Sequence, residues 1–189
     1  MVSLTRAEMI DGLVELIDLL RARDAHATIR IVGGAAVMLR YFEDRRITPD
    51  IDASIHTDVA LDDLTRQIAA RRGWPSDWLN DAAAGFIPFA DPGNWEPVYD
   101  DDAISIWVAT PPCLLAMKLR AARRGRDDED VAILLALLGI TTADEAERVF
   151  ETHYPGELPP ERAYRMLDDI FAVGLPPVPE APELHLGGD

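Results

Sequence analysis

The stretch 28–55, TIRIVGGAAVMLRYFEDRRITPDIDASI, constrains the fold of this chain more than any other. Ile29, Ile31 and Val32 form a β-branched run of the kind that fills a buried strand. The run stops at Gly33-Gly34, where missing side chains permit a sharp backbone turn and a close approach to the amide N–H groups. Residues 35–39 then read as a short helix, and Asp50-Ile51-Asp52 opens a second strand. Strand, glycine turn, helix, loop and strand in this order predict an α/β (α+β) fold: a small mixed sheet flanked by helices, followed by a C-terminal helical part.

The same residues carry chemistry. A helix that opens directly after a glycine turn aims unpaired N–H groups and a positive dipole end at whatever lies above it, which suits an anion. Residues two apart on a strand share a face, so Asp50 and Asp52 are expected side by side, with Ile51 and Ile55 on the other face. Two carboxylates that close repel, and a hard divalent cation such as Mg²⁺ (or Mn²⁺), shared with substrate phosphates, relieves the repulsion. Alone, Gly-Gly is an ordinary tight turn and Asp-x-Asp a solvated loop end. Their order, their spacing and the string Arg46, Thr48, Asp50, Asp52 at every second position together predict a nucleoside triphosphate site.

Elsewhere the pattern is mostly structural. Thr5 and Glu8 form a capping box ahead of Met9, Leu13, Leu16, Ile17 and Leu20 at helical spacing. Asp58 is the expected cap of a helix over 59–72, ended by Gly73. Residues 76–95 read as a short helix and then an ordered loop, with Trp78, Phe86, Phe89 and Trp95 expected to anchor it to the core. Strands are expected at 96–99 and 103–108, around a hairpin tip at Asp100-Asp101-Asp102. From Pro111-Pro112 the chain turns helical, with helices over 113–124 and 127–140, a third capped by Thr142 and Glu145, and a last one opened by Pro159-Pro160. The expected organisation is an α/β core over 1–110, a helical part over 111–175 and a loose acidic tail over 176–189.

Composition narrows the partners. A net charge of −16 argues against generic nucleic-acid binding, which depends on excess Lys and Arg. Cys113 is the single cysteine and lies in an apolar stretch, as expected of a buried thiol in a reducing compartment. No run approaches the roughly 18 apolar residues of a membrane span, and the first residues lack a signal-peptide pattern, so a cytoplasmic protein with no membrane contact is expected. Lys118 is the only lysine in a chain otherwise biased to arginine, which fits a site that needs a compact ammonium and equally fits chance.

The Gly-Gly, the Asp-x-Asp and the string leading to it resemble the signature of the nucleotidyltransferase superfamily of DNA polymerase beta. Within it they are similar to the AbiEii and MenT type of toxin nucleotidyltransferase. The downstream string LLAMKLRAARRGRDDEDVAILL resembles that type's second motif, a Lys on one helix and an Asp opening the next. The resemblance implies Asp50 and Asp52 as metal ligands, and Gly33, Gly34, Arg46 and Thr48 as the nucleotide-binding frame. It implies Lys118 as the phosphate-binding cation, and Asp127, placed as in RDxxD, as the late acidic residue, with Asp130 as the second choice for that role. The implied reaction moves a nucleoside monophosphate from an NTP to an acceptor hydroxyl, on tRNA or on a partner protein, within a toxin–antitoxin pair whose cognate antitoxin or toxin is a further partner. One departure stands out. Such enzymes carry a third carboxylate on a later strand, where this chain reads Ile104-Ser105-Ile106; Glu96, Asp102 or the late acidic residue are the available substitutes, and a non-catalytic interaction module is the alternative reading.

Overall fold

The computed structural model describes residues 3–43 and 48–187. These divide into two compact units, one of Met1–Ala84, Trp95–Val108 and Ala181–Asp189, the other of Gly85–Asn94 and Ala109–Glu180. Arg46 lies outside the described residues.

The first unit contains α1 (Arg6–Arg21), β1 (Ala27–Val32), α2 (Gly33–Arg40), β2 (Ile51–Thr57), α3 (Leu61–Arg72), β3 (Leu79–Asn80), β4 (Trp95–Asp100) and β5 (Ile104–Ala109). The sheet order is β3-β2-β1-β5-β4, with β1 antiparallel to β2 and parallel to β5, and β2 parallel to β3. It is the mixed sheet the sequence predicts. Ile29, Ile31, Ile51, Ala53, Ile104, Ile106 and Val108 alternate along their strands and are fully buried. Burying each larger side chain of this set contributes roughly 1.5–3 kcal/mol. The residues between them, Thr28, Arg30, Asp52, Ser54, Ser105 and Trp107, share the opposite face and are half-buried. That second face is where polar chemistry has room.

The capping box at Thr5 and Glu8 starts α1, whose Met9, Leu13, Leu16, Ile17 and Leu20 are buried. Gly12 lets this helix come close to Trp74 and Trp78, because a Cβ there would lie 2.9 Å from the Trp74 ring and 3.0 Å from that of Trp78. Trp78 is fully buried and donates its indole N–H to the Thr65 carbonyl at 3.1 Å.

Several local expectations are corrected. Asp58 does not cap α3, whose N-cap is Ala60; its carboxylate instead accepts the His26 backbone N–H at 2.9 Å, tying β2 to the turn before β1. The short helix expected from residue 76 is replaced by β3, because β2 offers a free edge that this segment pairs with through Ile51–Leu79 and Asp52–Asn80. Phe86 and Phe89 are exposed rather than anchoring, and the loop is held through its backbone, with the Phe86 carbonyl accepting the Tyr154 hydroxyl. The described residues of the tail, 176–187, have no regular secondary structure, yet Leu186 is 2% exposed and Arg6 donates to the Glu183 carbonyl.

The second unit holds α4 (Pro111–Ala121), α5 (Asp128–Leu138), α6 (Ala143–His153) and α7 (Glu161–Val173). Proline at the first turn of α4 and the capping box at Thr142 and Glu145 set the starts the sequence predicts. Burial pushes the Cys113 thiol up to about 12, so it packs as a small apolar group. No helix among the described residues is long and apolar enough to cross a membrane.

Candidate functional site

The junction of β1 and α2 brings the two halves of the first motif together. No separate turn intervenes: the strand ends at Val32 and the helix begins at Gly33, which takes the left-handed backbone φ of 68°. Across the sheet, Val32 pairs with Asp52. A Cβ on Gly33 would lie 3.0 Å from Asp52 Oδ2, so the missing side chain is what leaves room beside that carboxylate. Val32 offers no side-chain cap and the first turn of α2 carries no acid. Neither the N-cap side chain nor the first turn of α2 thus competes for its N-terminal N–H groups, which suit an anion. Gly33→Ala is expected to lose roughly 1–2 kcal/mol of stability for the left-handed backbone, and to displace the Asp52 carboxylate. Urea denaturation reads the first effect and Mg²⁺–NTP titration the second.

Asp50 precedes β2 and accepts the Asn80 amide at 3.2 Å, while Ile51 between the two aspartates is fully buried. Thr48 is buried and its backbone carbonyl accepts the Leu4 N–H at 2.8 Å, fixing the approach to the aspartates from behind. Carboxylate oxygens from Asp50 and Asp52 are the donor set a hard cation such as Mg²⁺ or Mn²⁺ prefers, and Gly33 puts no side chain against Asp52 Oδ2 to obstruct one. Among the described residues no group of three or more His, Cys, Asp or Glu is arranged to hold a metal. A cation here would complete its shell with water and substrate phosphates.

The register relocates the question of the third carboxylate. Ser105 pairs with Thr28, and its hydroxyl donates to that of Thr28 at 3.2 Å. Thr28 lies four residues before Val32, about 13 Å along the strand, so Ser105 is at the wrong end of β5 to face Asp52. On the Asp52 face of β5, Trp107, opposite Arg30, lies nearer that end than Ser105, with Ala109 beyond it. Of the proposed substitutes, Glu96 is engaged by Arg40 (3.0 and 2.6 Å) and by the Tyr41 hydroxyl (3.2 Å), and Asp102 is exposed at the hairpin tip.

Arg30 was not singled out by the sequence, although an arginine inside the run TIRIV is itself a signal: its alternation phase puts it on the face opposite the isoleucines. Its guanidinium lies 5.3 Å from the Trp95 ring centroid. Bonds from Asp101 N to Ile104 O and from Thr110 N to Asn94 O bracket the β4–β5 hairpin, so Trp95 is at the end of the sheet where Val108 pairs with Ile31. The Arg30 side chain thus leans toward the Gly33 end. Its Nε is buried and has no hydrogen-bond partner among the described residues, a situation that costs about 1–3 kcal/mol.

Lys118, Asp127 and Asp130 cluster within the second unit. Lys118 Nζ is 2.9 Å from Asp127 Oδ1 and 2.6 Å from Asp130 Oδ2, and the three residues are 5%, 0% and 2% exposed. Arg123 also binds Asp127, through Nε at 2.9 Å, Nη2 at 3.0 Å and its backbone N–H at 3.0 Å. Burial pushes the Asp127 carboxyl up, but Arg123 and Lys118 outweigh it and hold the pKa at about 2. So deep a carboxylate is a poor proton acceptor at neutral pH. What the cluster does locally is join the end of α4 to the start of α5.

Residues 8–154 match the family described as nucleotidyltransferase of unknown function (DUF6036). No curated protein matches the chain.

Proposed function

Because the chain belongs to that nucleotidyltransferase family, we propose that it transfers a nucleoside monophosphate from an NTP to an acceptor hydroxyl at the Gly33–Asp52 site. The observation that carries this reading is the 3.0 Å approach of Asp52 Oδ2 to the Cβ position that Gly33 leaves empty, at an uncapped helix start. Asp50 and Asp52 hold the divalent cation, Mg²⁺ or Mn²⁺, which when bound neutralises the phosphate charge. Gly33, Gly34 and the first turn of α2 receive the triphosphate, and Thr48 and Arg46 steady the aspartate segment. Lys118 acts on the phosphates by resemblance, and the late acids Asp127 and Asp130 hold it.

In the reaction the acceptor oxygen bonds to the α-phosphorus as the bond to the bridging oxygen breaks. Pyrophosphate leaves with that electron pair, and the hydroxyl proton passes to water or to a carboxylate of the Asp pair. The protein's part is placement and charge stabilisation. Without an acid on β5, transfer is expected to be slow.

By resemblance the acceptor is tRNA and the setting a toxin–antitoxin pair. The net charge of −16 favours a second reading, in which the acceptor is a hydroxyl of a partner protein and no extended RNA surface is needed. Labelled NTPs, Mg²⁺ and either total tRNA or the product of a neighbouring gene separate the two. Label on RNA supports the first and label on protein the second, whereas Mg²⁺-dependent NTP binding without transfer to either leaves a nucleotide-binding interaction module.

A further inference from the structure

We propose that Arg30 is the cation that holds the nucleotide's phosphate chain on the open face of the sheet. This assignment rests on the nucleotide reading of the Gly33–Asp52 site and deepens it. Arg30 shares the face of Asp52, two residues along β1 from the Val32–Asp52 pair and so about 7 Å away, within reach of an arginine side chain. Its neighbours in register are Ser54 on β2 and Trp107 on β5, neither of which can neutralise it.

Three features make it a phosphate ligand rather than a packing residue. Its Nε is shielded from water with no acceptor among the described residues, so an oxyanion brought by a ligand satisfies a donor that the fold leaves open. The guanidinium stacks near the Trp95 ring, an arrangement that supports its plane while its edge N–H groups remain able to form paired bonds to a phosphate. It also leans toward the uncapped start of α2, where the chain's own N–H groups offer further donors. In a protein of net charge −16, Arg40 at the far end of α2 is already paired with Glu96. Trp107 stands where a carboxylate would have paired Arg30 internally.

The test is calorimetric titration of the full chain with Mg²⁺–pyrophosphate, with Mg²⁺ and each of the four NTPs, and with the corresponding nucleosides. Arg30→Met, which keeps the stem over Trp95, is expected to weaken pyrophosphate and NTP binding roughly ten-fold or more, with nucleoside affinity unchanged and Arg30→Lys intermediate. Equal phosphate affinity in wild type and Arg30→Met overturns the assignment while leaving the nucleotide reading intact. So does a proportional loss for nucleosides and phosphates, which marks a structural role. Absence of any phosphate or NTP binding by the wild type overturns the nucleotide reading, and Arg30 with it. Should Arg30→Met melt below the assay temperature, Arg30→Lys decides: a loss confined to phosphate ligands supports the assignment, and none overturns it.

Discussion

Asp52→Asn is expected to abolish Mg²⁺-dependent NTP binding and to lower transfer roughly 10³-fold, about 4 kcal/mol at 1.36 kcal/mol per decade. Asparagine has nearly the same shape, and Asp52 is half-buried beside a glycine rather than packed in the core, so the fold should tolerate the change. What is lost is one negative charge beside the start of α2, and with it the attraction for a hard cation. Titration with Mg²⁺–NTP and with NTP in chelator, alongside a thermal melt, separates the two effects. An unchanged melt with lost Mg²⁺ dependence is the expected pair of results. If Asp52→Asn binds Mg²⁺–NTP as the wild type does, the site has been placed wrongly.

Lys118→Ala should act through stability. Removing the ammonium leaves Arg123 on Asp127 but takes the counter-charge that Asp127 and Asp130 share, in a region where both are almost wholly buried, and breaking a buried pair costs at most about 3–5 kcal/mol. The pH dependence has a definite sign. The folded pKa of Asp127 is lowered, to about 2 from the ordinary 3.8, so its stabilisation is complete above about pH 4 and is lost as pH falls toward 2, on the order of 2 kcal/mol in all. In Lys118→Ala the carboxylates gain by protonation, and the gap between variant and wild type should narrow as the pH is lowered. Urea denaturation at pH 7 and near pH 3 measures both. A loss under about 1 kcal/mol at neutral pH would show that the triad contributes little to the second unit. Activity assays on Lys118 variants must therefore be corrected for the folded fraction.

What could be read from the sequence was what is encoded locally. Capping boxes at Thr5 and Thr142, the proline start of α4 and the phase of Ile29 and Ile31 each depend on a few neighbouring residues, and each held. The glycine and aspartate motifs were legible for the same reason. Pairing across the sheet was not. Ser105 is correctly within a strand, but only the parallel register of β5 on β1 shows that Trp107, and not Ser105, is the closer to Asp52 on its face. Arg30 escaped because its significance depends on what lies opposite it and on an acceptor that is missing, neither of which a string of letters displays. Asp58 was a plausible cap until His26, distant in sequence, supplied the partner it uses. Lys118 stands out in the sequence as the lone lysine, yet its two carboxylate partners are visible only once α4 and α5 are folded.

The route of the chain between its two units has a consequence for dissecting the protein. It leaves the first unit after Ala84, returns for Trp95–Val108, leaves again, and comes back at Ala181. The units are interleaved rather than consecutive, so no single cut in the gene yields either one whole. A fragment stopped short of Val108 loses strands on one side of β1, and one stopped at Glu180 loses Leu186 from the sheet unit's core. During synthesis the parallel β1–β5 pair, which matches Ala27 with Ile104, must wait for a long intervening segment to emerge, whereas the β1–β2 pair that places Asp52 beside Gly33 closes early. The nucleotide end of the molecule is thus drawn together before the sheet around it is complete.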